Sequence, residues 1–355
     1  MNSTFSLKPM GTALLYTFPF LIYVDSQSPI KVKEIIIDDT TIRIYPFFRS
    51  GKANFIPMPP ISVESIPFIE GLNIEPNNNL IIPTLAAIPS LEKDVNGESI
   101  MHLFVKEEFE QFPSIMPMDS LRIDLLSREE NKDQIVHSSV SKLIQLIRHK
   151  TKQWWMEHHT TASLLRANFA ILKNGFPLEK PWSNAMGRTV TGDEIPIDEA
   201  IWEESINDLE QEKVSPLYAL LNLDARYFAA ISDFRRAVLD AVIACEQARD
   251  IHFERLWFLK AGDVPFKINR VLSGVNLPVH LSADLLKMTN NTHSFEIEHP
   301  NDFAVIEDLW DARGNIAHGR PNQYRRDGVL NDVNEDKITE FIKSTSRCIK
   351  WLESI

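Results

Sequence analysis

The chain has 355 residues, of which 44% are hydrophobic and 24% charged, as is typical of a folded protein of about two domains. A formal net charge of −12 disfavours a nucleic-acid partner, but residues 215–355 hold 17 Lys and Arg against 20 Asp and Glu, a balance of only −3. The twelve glycines form no G-x-G-x-x-G run. A P-loop spacing from Gly187 to Gly192 continues with Asp193 instead of lysine, so neither common phosphate-binding loop is present in the sequence.

Cysteine content and hydropathy favour an intracellular protein. Cys245 and Cys348 are too few for a disulfide framework or a thiolate metal cage, so we expect them to pack as small apolar side chains. The longest apolar run, residues 12–24, contains Pro19 and is shorter than the roughly 20 residues needed to cross a bilayer. No small-x-small cleavage site follows this run. We therefore predict a cytoplasmic protein with no membrane partner.

Residues 1–135 are predicted to form a β-containing domain. Thirteen of the 21 prolines precede residue 120, and the segments between them are short and β-branched. The predicted strands lie at 35–37, 40–45, 103–105 and 121–125. The sequence assigns no function to this region.

Residues 136–213 are predicted to form a helical connector. Apolar residues recur at steps of three and four from Val140 to Ile147, and the helical pattern continues towards Leu172. A surface loop is expected at 182–196 and an acidic helix at about 198–212. His158 and His159 have no His, Cys or carboxylate three or four residues away, so no metal site is predicted there, and no cofactor elsewhere.

Residues 214–355 are predicted to form an all-α bundle, which makes the whole chain α+β. One long helix carries an apolar seam of Phe234, Val238, Ala241, Cys245 and Ala248. A second helix, 302–318, has a seam of Phe303, Ile306, Trp310, Arg313 and Ala317, and the last helix begins near Asn334.

Arg313 and His318 are the candidate catalytic residues. Arg313 occupies a seam position where an apolar side chain is expected, so a carboxylate or a phosphate should meet its permanent charge, and Glu246 is the candidate carboxylate. The helix should end at His318, because Gly319 and Pro321 follow. A histidine in that position is suited to giving and taking protons near neutral pH.

The neighbours of His318 suit a phosphate-binding surface. Gly314 bares the backbone, and Gly314 and Asn315 share one side of the helix with His318. Beyond the helix, Arg320, Arg325 and Arg326 form a basic patch with no acid before Asp327, which is what binding to an RNA backbone requires.

Two stretches of the sequence resemble the HEPN superfamily of helical domains. Leu309-Trp-Asp-Ala-Arg-Gly-Asn-Ile-Ala-His-Gly319 is similar to the HEPN signature, in which an arginine is followed four to six residues later by a histidine near the end of a late helix. Residues 219–226 and 233–247 resemble the first long helix of Apea-like members, which often ends in a glutamate such as Glu246. The resemblance covers about residues 215–355.

The resemblance implies a homodimeric, metal-independent endoribonuclease. His318 would act as general acid or base, Arg313 would hold the scissile phosphate, and the products would be a 2′,3′-cyclic phosphate and a 5′-hydroxyl. A regulatory protein partner and a role in a microbial toxin or antiviral defence system are further implications. Two alternatives remain open: a non-catalytic HEPN scaffold that binds nucleic acid or a partner protein, and an unrelated helical interaction domain in which the Arg and His are coincidental. In a structural interpretation, Arg313 forms an ion pair with Glu246 and His318 is a solvated residue at the helix end.

Overall fold

The structure, a computed structural model, describes residues 12–25, 28, 30, 33–48, 115–125, 133–156, 168–170, 194–262, 272 and 276–355. The predicted strand 103–105, most of the predicted loop 182–196, and the pair His158 and His159 lie outside the described residues. The chain divides into two compact units, residues 1–214 and residues 215–355. The first unit combines a sheet with helices and the second is mostly helical, so the chain is α+β.

The first unit contains a five-stranded antiparallel sheet. In chain order its strands are β1 (Thr12–Asp25), β2 (Lys33–Ile37), β3 (Thr40–Phe48), β4 (Ile115–Leu125) and β5 (Asn168–Ala170), and their order across the sheet is β2-β3-β4-β1-β5. The apolar run 12–24 is therefore strand β1. Its buried side chains alternate along the strand, as expected when one face meets a core: Tyr16, Phe18, Phe20, Ile22 and Val24. The predicted strands at 35–37, 40–45 and 121–125 are confirmed.

Two helices, α1 (Asp133–Thr151) and α2 (Glu199–Glu210), share one core with this sheet. Helix α2 begins at its cap Asp198, close to the predicted start. The prediction that the first helix continues towards Leu172 is wrong. Lys152 takes a left-handed conformation (φ 56°), and the side-chain amide of Gln153 bonds to both the N–H and the C=O of Tyr23 on β1. These contacts divert the chain from the helix, and residues 168–170 instead pair with β1 as strand β5.

The second unit is built on four long helices, α3 (Leu217–Ala230), α4 (Phe234–Ala261), α8 (Pro300–Ala317) and α9 (Glu335–Ser354). Shorter helices α5 (Leu277–Val279), α6 (Leu285–Met288) and α7 (Phe295–Glu298) and a π-helical turn, His280–Asp284, connect α4 to α8. The α4 seam is confirmed, since Val238, Ala241, Cys245 and Ala248 are fully buried. Cys348 also lies in this core, where the Cys245 thiol and burial raise its pKa, so both cysteines pack as apolar side chains as predicted.

The seam predicted for α8 is correct only in its first half. Phe303 and Ile306 are buried, but the core-facing line continues through Leu309, Ala312 and Ile316, so Arg313 is half-buried at its margin. Ala317, the last predicted seam residue, is exposed. A step of 3.6 residues per turn moves this side of the helix to the edge of the core, so Arg313 is half-buried and not within the apolar seam as predicted.

The prediction of an all-α second unit is wrong between α8 and α9. Strands β6 (Gln323–Arg326) and β7 (Val329–Asp332) form a two-stranded antiparallel hairpin there. Asp327 and Gly328 make its turn, both with positive φ (52° and 79°), which is the geometry that Asp-Gly supplies in two-residue hairpins. Among the described residues, no helix is long and apolar enough to cross a membrane.

Candidate functional site

Helix α8 ends where the sequence predicts. The N–H of His318 donates to the carbonyl of Gly314 (3.2 Å), and Gly319 then turns the chain with φ +70°, a conformation that glycine adopts at little cost. The N–H of Arg320 closes the end by donating to the carbonyl of Asn315 (2.9 Å). The His318 side chain is left exposed beyond the last turn.

Arg313 lies on the same helix but is directed away from His318. The centre of its guanidinium is 5.1 Å from the ring centroid of Trp310, three residues earlier, which is a cation–π contact. His318 lies five positions after Arg313, which in a helix is equivalent to about 7.5 Å of rise and 140° of rotation. Within one protomer, the two predicted catalytic residues therefore do not share a face of α8.

Glu246 faces Arg313 from α4 without forming an ion pair with it. Burial raises the pKa of Glu246, and the charges of Arg249 and Arg313 oppose that rise. Among the described residues, the Glu246 carboxylate makes no ion pair within 4.0 Å, so its interaction with Arg313 is electrostatic and through space. The candidate partner is thus in electrostatic range of the arginine but does not fix its orientation.

Glu246 adjoins a buried polar cluster that sequence analysis missed. Arg249, on the next turn of α4, contacts Nδ1 of His280 through Nη1 (2.7 Å) and also bonds to Asp250. Arg249 and His280 are both buried. Because Arg249 lies four residues after Cys245 on the buried face of α4, an arginine at an apolar position was the available signal, as it was for Arg313.

Gly314 and Asn315 have different surroundings. A Cβ atom at position 314 would meet nothing within 4 Å, so the helix surface beside Gly314 is open. The side-chain amide of Asn315 donates to the carbonyl of Gln323 on β6 (2.8 Å). Asn315 therefore fastens the hairpin to the end of α8, while Gly314 leaves room for a ligand or a second chain.

The strand alternation of β6 separates the two hairpin arginines. Arg326 points inward, where it forms an ion pair with Asp308 (2.7 Å) and donates to the carbonyl of Ala304 (3.1 Å). Arg325 is exposed, and only its backbone N–H is anchored, to Asp311 (2.6 Å). Of the two, Arg325 is available to a ligand.

Arg320 is exposed just past Gly319, and its carbonyl accepts a bond from Nη1 of Arg235 (3.4 Å). Arg235 was absent from the predicted basic patch, since it lies 85 residues earlier, in the first turn of α4. The structure therefore brings Arg235 to Arg320 and leaves Arg326 in a structural ion pair.

A groove of about 640 Å³ lies beside the hairpin, between α8 and α9. Four carboxylates and two arginines line it: Glu307, Asp308, Asp327, Glu340, Arg325 and Arg326. Burial and the neighbouring Glu296 and Asp308 raise the pKa of Glu307, as expected where negative charges crowd together. The groove is thus a poor place for a polyanion, and Arg320 with Arg235, which do not line it, are the better candidate surface.

Comparison of the chain with protein-family models, curated proteins and solved structures finds no match. Within the described ranges, no group of three or more His, Cys, Asp and Glu side chains is arranged to hold a metal ion.

Proposed function

We propose that the protein is a cytoplasmic, HEPN-like endoribonuclease that cleaves RNA by transesterification. The observation that carries the proposal is the end of α8, where an exposed imidazole at the helix terminus adjoins exposed arginines. This combination supplies a group that transfers protons and a surface that attracts a phosphate backbone. The resemblance of residues 309–319 to the HEPN signature supports the same assignment.

The proposed reaction uses the 2′-hydroxyl of the RNA as nucleophile. Its oxygen forms a bond to phosphorus as the P–O5′ bond breaks, which leaves a 2′,3′-cyclic phosphate and a 5′-hydroxyl. His318 either accepts the proton of the 2′-hydroxyl or donates one to the departing 5′-oxygen. The Arg313 guanidinium stabilises the negative charge that develops on the phosphate oxygens.

The proposal includes a homodimer. In one protomer the Arg313 side chain is directed towards Trp310 and away from His318, so a second copy completes the cleft by bringing another Arg313 and His318 to it. The open surface beside Gly314 leaves space for that approach. Two further proposals rest on the resemblance, a regulatory protein partner and a toxin or antiviral defence role, and we also propose that the N-terminal β-containing region, residues 1–135, has a sensing or restraining role.

A non-catalytic HEPN scaffold that binds RNA or dimerises is the second candidate. The contact of Arg313 with Trp310 favours it, because a guanidinium that only covers an aromatic ring has a packing role. In this alternative the exposed arginines bind RNA and His318 has no chemical task.

The deciding experiment incubates the purified full-length protein with 5′-labelled RNA in EDTA. We expect 2′,3′-cyclic phosphate products, and a loss of at least about 100-fold in cleavage rate in both His318→Ala and Arg313→Ala. Lys350→Ala is the control, because Lys350 is exposed on α9 and distant from His318. Its neighbour Trp351 bonds to Glu298, which precedes the N-terminus of α8. The length of α8, about 27 Å, separates that N-terminus from His318.

Intact RNA in every condition, with circular dichroism and sedimentation showing a folded dimer, would support the scaffold instead. Cleavage that needs a divalent cation would contradict the proposed mechanism.

A further inference from the structure

A contact from Arg235 to Arg320 joins the start of α4 to the end of α8, and we define the junction surface as these two residues with His318 and the hairpin residue Arg325, whose N–H bonds to Asp311 of α8. All four side chains are exposed. Across the described residues, none of the three arginines forms an ion pair with a carboxylate, unlike Arg326 of the same hairpin. Unpaired guanidinium groups gathered in one place attract a polyanion.

Arg235 is positioned by the cap of α4. The Asp233 carboxylate accepts the N–H of Arg236 (3.2 Å) and starts the helix, so Arg235 projects from the first turn. Within the part of the chain that the structure describes, its guanidinium makes one hydrogen bond, the 3.4 Å contact from Nη1 to the carbonyl of Arg320. An arginine has five N–H donors, so most of them remain free to bind phosphate oxygens.

Arg236, the next residue, packs against α3. The guanidinium of Arg236 lies 3.8 Å from the ring centroid of Phe228 on α3, so its charge is used in packing between the two helices. Adjacent helical residues point about 100° apart. The two arginines are therefore separated into one that packs against α3 and one that extends over the end of α8.

Two carboxylates near the junction surface accept hydrogen bonds from backbone N–H groups. Asp311 accepts the N–H of Arg325, and Asp233 accepts the N–H of Arg236. These bonds hold the two carboxylates against the main chain, and among the described residues neither carboxylate forms an ion pair with an arginine of the junction surface. Arg325 also lines the acidic groove beside the hairpin, whereas Arg235 and Arg320 do not, so these two arginines are the ones that present charge away from the acidic lining.

We propose that Arg235, together with Arg320, binds a backbone phosphate of single-stranded RNA next to the phosphate that is cleaved. The contact to the Arg320 carbonyl holds Arg235 beside the chain segment that follows His318, so a phosphate bound there would be next to one held at His318. Both arginines contact phosphate and not base edges, so the contribution is independent of RNA sequence. The position of this subsite rests on the proposed function.

The test measures binding of a fluorescent 20-nucleotide single-stranded RNA by anisotropy, in the His318→Ala background, at several salt concentrations. Neutralising one phosphate contributes about 0.7 to the slope of log K against log salt for single strands. We expect Arg235→Ala to lower the slope by about 0.7 and to weaken binding about fivefold near 0.1 M salt. Arg235→Lys should keep most of the slope, because it keeps the charge.

Lys350→Ala in the same background is the matched control, since it also removes one exposed positive charge from the second unit. Equal affinity and slope for Arg235→Ala and Lys350→Ala would overturn the proposal, as would a complete absence of RNA binding. Cleavage by the protein with His318 intact is assayed separately. If the protein cleaves RNA but Arg235→Ala binds normally, only the Arg235 subsite fails. If binding depends on Arg235 but no cleavage occurs, only the proposed reaction fails.

Discussion

The two ends of α8 differ in whether their charged side chains form ion pairs. In the first half, Asp302 pairs with Arg347, and Asp308 pairs with Arg326 and Lys337 (2.7 and 2.8 Å). At the far end, His318 and Arg320 are exposed and form no ion pair with any described residue. Ion pairs thus connect the first half of α8 to α9 and the hairpin, while the positive charges at its C-terminal end have no ion-pair partner among the described residues. One helix carries both the stabilising ion pairs and the candidate site.

The largest effect on stability is expected from breaking the fastening at Asp308. Its side chain is only 5% exposed and meets two cations, so Asp308→Ala leaves a nearly buried Lys337 with Glu340 as its remaining ion-pair partner. We expect a loss of about 2 kcal/mol in the free energy of unfolding, measured by denaturant titration.

The control for Asp308→Ala is its neighbour Glu307, which is exposed and has a raised pKa. Glu307→Ala removes the same charge from the same turn and should change stability by less than about 0.5 kcal/mol. Equal losses in the two variants would show that the Asp308 contacts do not fasten α8.

A smaller effect, in the opposite direction, is expected from a carboxylate without a cation contact. Burial and the nearby Asp224 raise the pKa of Asp240 on α4 to about 6. Between pH 3.8 and about 6 the folded state binds more protons than the unfolded state, so stability falls as pH rises through this range. Above it, the ionised Asp240 is a constant penalty.

Asp240→Asn should therefore increase the free energy of unfolding by about 1 kcal/mol at pH 7.5, a figure reduced from the full shift because Asp240 is partly solvated. The gain should shrink as the pH falls from about 6 towards 4. Thermal unfolding at pH 7.5, 6 and 5 checks this. A gain that does not vary with pH would mean that the effect comes from packing and not from ionisation.

The sequence alone predicted those features of the second unit that depend on helix periodicity and on residues at helix ends. The seam of α4, the cap at Asn334 and the termination of α8 at Gly319 depend on residues within a few positions of each other. The hairpin was missed because its strands, Gln323–Arg326 and Val329–Asp332, lack alternating apolar residues, although Asp327-Gly328 is a strong turn signal.

The candidate site was predictable only as a set of residues. Spacing placed Arg313 and His318 on one helix, but it did not reveal that the apolar face of α8 shifts towards Ala312 and Ile316, which leaves Arg313 at its margin. The contact between Arg235 and Arg320 spans 85 positions, and the pairing of Arg326 with Asp308 depends on a strand that was not predicted. Such contacts depend on tertiary packing, which periodicity does not encode.

The smallest effect is expected from Arg325, and its comparison with Arg326 tests the difference between the two ends of α8 directly. Arg325→Ala removes an exposed side chain that forms no hydrogen bond or ion pair with any described residue, so stability should change by less than about 0.5 kcal/mol. Arg326→Ala removes one of the two cations that pair with Asp308 and should lower the free energy of unfolding by about 1 kcal/mol, because Lys337 remains as a partner.

RNA affinity should respond in the opposite order, with Arg325→Ala weakening binding by a few-fold and Arg326→Ala leaving it nearly unchanged. Denaturant titration and anisotropy on the same two preparations measure both quantities. If Arg326→Ala weakens RNA binding more than Arg325→Ala, the inward and outward faces of β6 do not divide stability from binding, and the basic end of α8 is not a separate surface.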